Sequence, residues 1–188
     1  MSYEVGRRIV IYGNSGSGKS TLGRALGEGL GVPYIELDEV VHYHPNWEER
    51  TDEDFRAQVQ ARLEASPDGW VCDGNYSAVR ALILSRADTA IWLRLPFHVV
   101  YWRLVSRTIP RALRSTPLWH GNRESIRQTF FSKQSMLIWG ISSWRITRRK
   151  TAVALATIPH GARVVVLRTP REVEALLREV ARQDASSR

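Results

Sequence analysis

Gly13-Asn14-Ser15-Gly16-Ser17-Gly18-Lys19-Ser20 decides the reading of this chain. It fits the pattern G-x-x-x-x-G-K-[ST] in full, and its surroundings are the ones that pattern requires. Before it, Arg7-Arg8-Ile9-Val10-Ile11-Tyr12 is short, apolar and β-branched, which predicts a buried strand. After it, residues 19–30 predict a helix, broken by Gly31-Val32-Pro33. Each part has a chemical reason. Glycines let the backbone wrap with its N–H groups turned inward toward phosphate oxygens. The helix adds the positive end of its dipole. Lys19 is then predicted to reach the β- and γ-phosphates of ATP, and Ser20 to ligate Mg²⁺. Gly13, Asn14, Ser15, Gly16, Ser17, Gly18, Lys19, Ser20 and Thr21 are the expected nucleotide-binding residues. Lys19 is one of three lysines among 27 basic residues, so a lysine here is not the chain's default cation.

Moving outward, further strands are expected at Tyr34–Asp38, Trp70–Asp73, Thr89–Leu95 and Arg163–Leu167, with helices near 53–65, 78–85, 97–108 and from Pro170. The tail from Gln183 is expected to fray. Strands and helices alternate, which implies one α/β domain over residues 1–188 built on a five-stranded parallel sheet. Right-handed crossovers gather the carboxyl ends of the strands on one edge, where such sheets bind ligands. Asp38, Asp73 and Arg168 all fall at or just past strand ends. Asp73 reads either as an acid that holds Mg²⁺ beside Ser20 or as a turn residue of Asp73-Gly74-Asn75. Asp38 reads either as the carboxylate that receives a proton from the acceptor hydroxyl or as the cap of a following short helix. At Leu167-Arg168-Thr169-Pro170, backbone groups of Arg168 are candidates for an adenine contact. A plain strand-to-helix turn capped by Thr169 fits equally.

Charge is concentrated rather than spread. Residues 101–150 hold 11 basic side chains against the single acid Glu124, so this segment's +10 exceeds the whole chain's +8. That excess calls for an anionic ligand. Arg103 and Arg107, four apart, share a helix face, and Arg123 and Arg127 repeat the spacing. Residues 109–150 are expected to form a helical, arginine-rich lid and return helix, with Arg103, Arg107 and Arg123 closing over the transferring phosphoryl group. Trp102, Trp119, Trp139 and Trp144 interleave with these arginines, so an ATP-switched DNA- or RNA-binding protein is the rival reading. Arg145, Arg148, Arg149 and Lys150 are expected to be a solvated helix end. Cys72 is the only cysteine, which excludes an internal disulfide and multi-thiolate metal sites. No apolar run approaches the roughly 20 residues of a membrane span, and Met1 to Gly6 carries no leader pattern, so a cytoplasmic location is expected.

Together these motifs resemble the adenylate-kinase-like branch of P-loop kinases, and more narrowly the bacterial topology-modulation-protein-like group. The residues that carry the likeness are the loop at 13–20, Leu37-Asp38, Pro45-Asn46-Trp47, Trp70-Val71-Cys72-Asp73-Gly74-Asn75-Tyr76, Arg103 to Arg107, and Asn122-Arg123-Glu124-Ser125. The resemblance implies a P-loop NTPase three-layer sandwich and phosphoryl transfer from ATP·Mg²⁺ to a small acceptor, which includes nucleotides. A monomer or homodimer is expected. Adenylate kinases carry Phe-Pro-Arg shortly after their Asp-Gly, and its arginine grips the acceptor's phosphate. Here Asn75-Tyr76-Ser77 stands there and the nearest arginine is Arg80, so AMP need not be the acceptor.

Overall fold

The computed structural model describes residues 3–43, 48–114, 141–156, 158 and 161–187. Five strands form one all-parallel sheet: β1 (Arg8–Gly13), β2 (Tyr34–Glu36), β3 (Trp70–Asp73), β4 (Thr89–Leu93) and β5 (Arg163–Leu167). Their spatial order is β2-β3-β1-β4-β5, with β1 central. The helices, numbered along the described chain, are α1 (Lys19–Leu30), α2 (Leu37–Val41), α3 (Asp52–Glu64), α4 (Ser77–Leu84), α5 (Phe97–Arg114), α6 (Trp144–Ala156) and α7 (Pro170–Ser187).

The strands are apolar on both faces because both faces are covered, as a parallel sheet requires. Alternate residues divide between two cores. Val10 and Tyr12 of β1, Trp70 and Cys72 of β3, and Ala90 and Trp92 of β4 face one way and pack under α2, α3, α4 and α6. Ile9, Ile11, Val71, Ile91, Val165 and Leu167 face the other way and pack under α1 and α7. The result is the expected three-layer sandwich. The switch in strand order lies at β1, so the carboxyl ends of β1 and β3 open beneath the glycine-rich turn.

Local chemistry explains the helix ends. Thr51 caps α3 by accepting from the Asp54 N–H at 3.2 Å, and Asp52, Glu53 and Asp54 sit at the positive end of the dipole. Several boundaries differ from the sequence expectation; β4, for one, ends at Leu93 rather than Leu95. The second strand stops at Glu36, and Leu37–Val41 turns into α2, so Asp38 stands in the first turn of a helix rather than in a strand. α5 continues past Thr108 and through Pro110 to Arg114. A proline costs a helix one hydrogen bond, and the run remains helical here. The first residues of the expected 109–150 lid, 109–114, thus prolong α5, and the last, 144–150, open α6. Residues 115–140 lie outside the described residues. Finally, α7 reaches Ser187, where fraying from Gln183 was expected. Among the described residues, no helix is long and apolar enough to cross a membrane.

Candidate functional site

The glycine-rich turn between β1 and α1 is clamped from three sides. Asn75 Nδ2 donates to the carbonyl of Gly13 at 2.7 Å. Asn14 Nδ2 donates to the carbonyl of Trp144 at 3.3 Å, which ties the turn to the start of α6. Gly16 lies against α5, where an added Cβ would come within 2.6 Å of the Val100 carbonyl oxygen and 2.9 Å of Leu104 Cβ. Gly16 and Gly18 have φ of 83° and 94°, a backbone region that side chains strongly disfavour. The loop therefore needs glycine for both its torsions and its close approach.

Several expected site residues converge here. Lys19 and Ser20 open α1, and Lys19 Nζ rests 3.4 Å from the Asn14 carbonyl oxygen. Ser20 Oγ donates to Asp73 Oδ2 at 3.1 Å. Arg103 reaches over the loop, its Nη1 3.7 Å from where a Gly18 Cβ would stand. Arg107 follows one turn later on the exposed side of α5. Ser15 is half-buried, Ser17 buried and Thr21 exposed. Arg123 lies outside the described residues. Arg168 sits past β5, but its backbone N–H donates to Glu172 Oε2 at 2.6 Å, and Thr169 Oγ1 accepts from the Glu172 N–H at 3.2 Å. This is a capping arrangement for α7, so that N–H is not available to an adenine. The basic run from Arg145 opens α6 rather than ending a helix, and Arg148 stacks on Trp144.

Asp73 is 3% exposed at the end of β3. Burial pushes its pKa up to about 6; the Lys19 charge opposes this, and Asp38 and Glu36 add to it. A buried carboxylate beside a serine hydroxyl is a hard-oxygen donor pair, the kind that Mg²⁺ accepts when substrate phosphates and water complete its shell. Ser20 and Asp73 therefore fit the metal. The sign of the stability effect follows. The folded state holds the Asp73 proton more tightly than the unfolded chain, so this group's contribution to stability falls as pH rises from about 4 to 6. By pH 7 the cost is about 3 kcal/mol. Asp73→Asn is therefore expected to melt several degrees higher than wild type without ligand at pH 7.5 and to lose the Mg²⁺-dependent part of its thermal shift with ATP. A lower melting temperature in the variant would contradict this reading.

Across the mouth of the turn, Asp38 is held by a residue the sequence reading gave no role. Tyr76 donates its hydroxyl to Asp38 Oδ1 at 2.7 Å. Its ring packs edge-on against Phe55, centroids 5.3 Å apart, and burial beside Asp38 pushes the phenol's pKa far up, so it stays a donor. Gly74, at φ 145°, packs directly on Leu37, which sets the β3–α4 turn against the start of α2. The four residues Asp73 to Tyr76 thus touch Ser20, the Gly13 carbonyl and Asp38 in turn. Glu36 was also passed over; it is 5% exposed, lies in register with Asp73, and pairs with Arg24 at 2.7 Å. Glu36, Asn75 and Tyr76 act through contacts that sequence spacing does not reveal. The one available signal was the intact Asp73-Gly74-Asn75-Tyr76 run. Tyr76→Phe keeps the ring contact and removes the donor. It is expected to lower kcat about tenfold with KM for ATP unchanged, as read from initial rates.

The arrangement matches known proteins along most of its length. The family model described as shikimate kinase matches residues 15–157. A shikimate kinase of Paramagnetospirillum magneticum is 28% identical over 119 residues, covering 57% of this chain and 61% of the relative. One of Cereibacter sphaeroides is 29% identical over 138 residues, covering 64% and 65%. The chain thus spans somewhat under two thirds of these relatives' length. Among solved structures, a gluconokinase of Sinorhizobium meliloti superposes with a TM-score of 0.50 at 21% identity, covering 98% of this chain and 95% of that one. A shikimate kinase of Acinetobacter baumannii in complex with shikimate gives 0.53 at 16%, covering 98% and 96%. At such identities these two structures speak for the fold alone.

Proposed function

The chain belongs to the shikimate kinase family, and from that premise we propose that it moves the γ-phosphoryl group of ATP to a hydroxyl of a small hydroxylated carboxylic acid. Shikimate and gluconate, the molecules in the relatives' names, share that chemistry: a carboxylate and several hydroxyls. The observation that carries the reading is the pairing of two half-sites. In this reading Lys19, Ser20 and Asp73 serve the phosphates, supported by the Ser20–Asp73 bond, and Asp38 serves the acceptor, supported by its bond from Tyr76 and its electrostatic influence on Asp73. Asp38 Oδ1 is engaged by Tyr76, which leaves Oδ2 to accept the proton of the acceptor hydroxyl. The acceptor oxygen then bonds to the γ-phosphorus as the bond to the β,γ-bridging oxygen breaks, and ADP leaves. Lys19 and Arg103 bear on the oxygens that carry the developing charge. Bound Mg²⁺, held by Ser20 and Asp73, would neutralise charge on the β- and γ-phosphates.

We further read the Asp73-Gly74-Asn75-Tyr76 run as marking a branch similar to the topology-modulation-like proteins, acting in the cytoplasm where ATP is at hand. Steady-state ADP release with Mg²⁺ and gluconate, shikimate or AMP tests the assignment. Release that depends on a hydroxy acid is expected. Release stimulated by AMP alone, or by no acceptor, contradicts it.

A further inference from the structure

Asn14 stands where the phosphate-binding pattern accepts any residue, yet it is only 6% exposed. Burying an amide is costly unless its polar atoms find partners. Its Nδ2 donates to the carbonyl of Trp144, 130 residues away at the start of α6. Carbonyls at a helix start already have partners within the helix, so this bond caps nothing; it fastens two elements together. Trp144 is gripped from two further sides. Phe97 of α5 packs edge-on against its ring, centroids 5.1 Å apart, and the Arg148 guanidinium lies 5.1 Å over it. The backbone of Asn14 meanwhile belongs to the phosphate loop. Its carbonyl accepts from the Ser17 N–H at 3.0 Å and receives Lys19 Nζ at 3.4 Å. One residue therefore joins the loop's lysine to α6. Farther along, Ala154 and Leu155 of α6 pack into the core that also holds Leu37 of α2 and Val79 of α4. That is the side of the sheet from which Asp38 and Tyr76 are supplied.

We propose that Asn14 is a positioning residue: its amide fastens α6 to the phosphate loop, so that a triphosphate in the loop steadies α6 and, through it, the acceptor side of the site. The effect on α6 rests on nucleotide binding alone; the effect on the acceptor rests on the phosphoryl-transfer reading. The link is one of ordering. Phosphate oxygens gripped by the loop's N–H groups fix the loop, and a fixed donor holds the Trp144 carbonyl at a smaller entropic cost than a moving one. The phosphates also draw Lys19 off the Asn14 carbonyl, so loading changes the contacts of the residue that holds α6.

Hydrogen–deuterium exchange with ATP and Mg²⁺ tests the link without requiring turnover. In wild type, ATP is expected to slow exchange at residues 13–20 and, by about threefold to tenfold, in the first turns of α6, the worth of one hydrogen bond. Asn14→Leu keeps most of the side-chain volume and removes the donor. It is expected to keep the slowing at 13–20 and to lose it in α6. Asn14→Ala, which lets water reach the Trp144 carbonyl, repeats the test if leucine unseats the loop. ADP release gives a second readout. The variant's KM for the stimulating hydroxy acid is expected to rise several-fold, while its ATP affinity by calorimetry stays at the wild-type value. A merely structural role predicts instead that α6 exchanges faster by the same factor with and without ATP. The proposal is overturned by that result, by a wild-type α6 that ATP does not slow, by equal slowing in the variants, or by a loss of ATP affinity with the acid's KM unchanged. The two readings fail differently. No slowing at residues 13–20 in wild type removes the phosphate cradle itself. Slowing there without acid-dependent ADP release removes the hydroxy-acid reaction, and exchange in α6 alone then decides the role of Asn14.

Discussion

Lys19→Ala is expected to lower phosphoryl transfer about a thousandfold while leaving the protein folded. The asymmetry follows from where the side chain sits. Lys19 is half-buried at the mouth of the turn, and its ammonium makes a long 3.4 Å approach to the Asn14 carbonyl. Removing it costs the fold little. The loop itself is fixed by Asn75, Asn14 and the packing of Gly16 on α5, none of which involves Lys19. Charge developing between the β- and γ-phosphates loses the cation that the loop itself carries. The variant also leaves Asp73 without the charge that opposes its burial, so its carboxyl pKa is expected to rise further above 6. Melting curves near wild type, together with single-turnover rates down about a thousandfold, are the expected pair of results. Wild-type ATP turnover in the variant would remove the cradle assignment.

Asp38→Asn is expected to be nearly as damaging, on the acceptor side only. The amide fills the same volume, and its oxygen still accepts from Tyr76, so α2 and its tie to the turn before α4 persist. What is lost is the second oxygen as a proton acceptor. General-base groups contribute about a hundredfold to ten-thousandfold, so kcat is expected to drop within that range while ATP binding by calorimetry stays at the wild-type value. A variant that loses ATP affinity instead would place Asp38 on the nucleotide. One that keeps full kcat would reduce it to the helix-cap role that its position in the first turn of α2 also permits.

The contrast between these two residues also shows what was legible before the structure. Gly13 to Ser20 could be read from spacing alone, because a phosphate-binding turn is a local object: strand, glycines and helix are consecutive in sequence. The β1, β3 and β5 segments were legible for the same reason, as short apolar β-branched runs bounded by turns. Asp38 belongs to a helix rather than the expected strand, since Tyr34 to Asp38 alternates much as a strand does and the packing of Leu37, Val40 and Val41 into the core goes with α2. Tyr76 and Asn75 stand in a legible run, but the run does not disclose what they touch. Their partners are 38 and 62 residues away, and no periodicity carries that information. The engagement of the Arg168 N–H by Glu172 has a local reason, since Thr169 and Glu172, three apart, form a capping pair.

The central claim is direct transfer between the two half-sites, from a triphosphate on Lys19 and Ser20 to a hydroxyl at Asp38. Phosphorus NMR of the protein with ATP, Mg²⁺ and gluconate or shikimate follows the fate of the γ-phosphorus itself. The account predicts a phosphomonoester resonance on the hydroxy acid, growing as ADP grows and absent with Asp38→Asn. ADP accompanied only by inorganic phosphate, at the same rate with and without the acids, would contradict it.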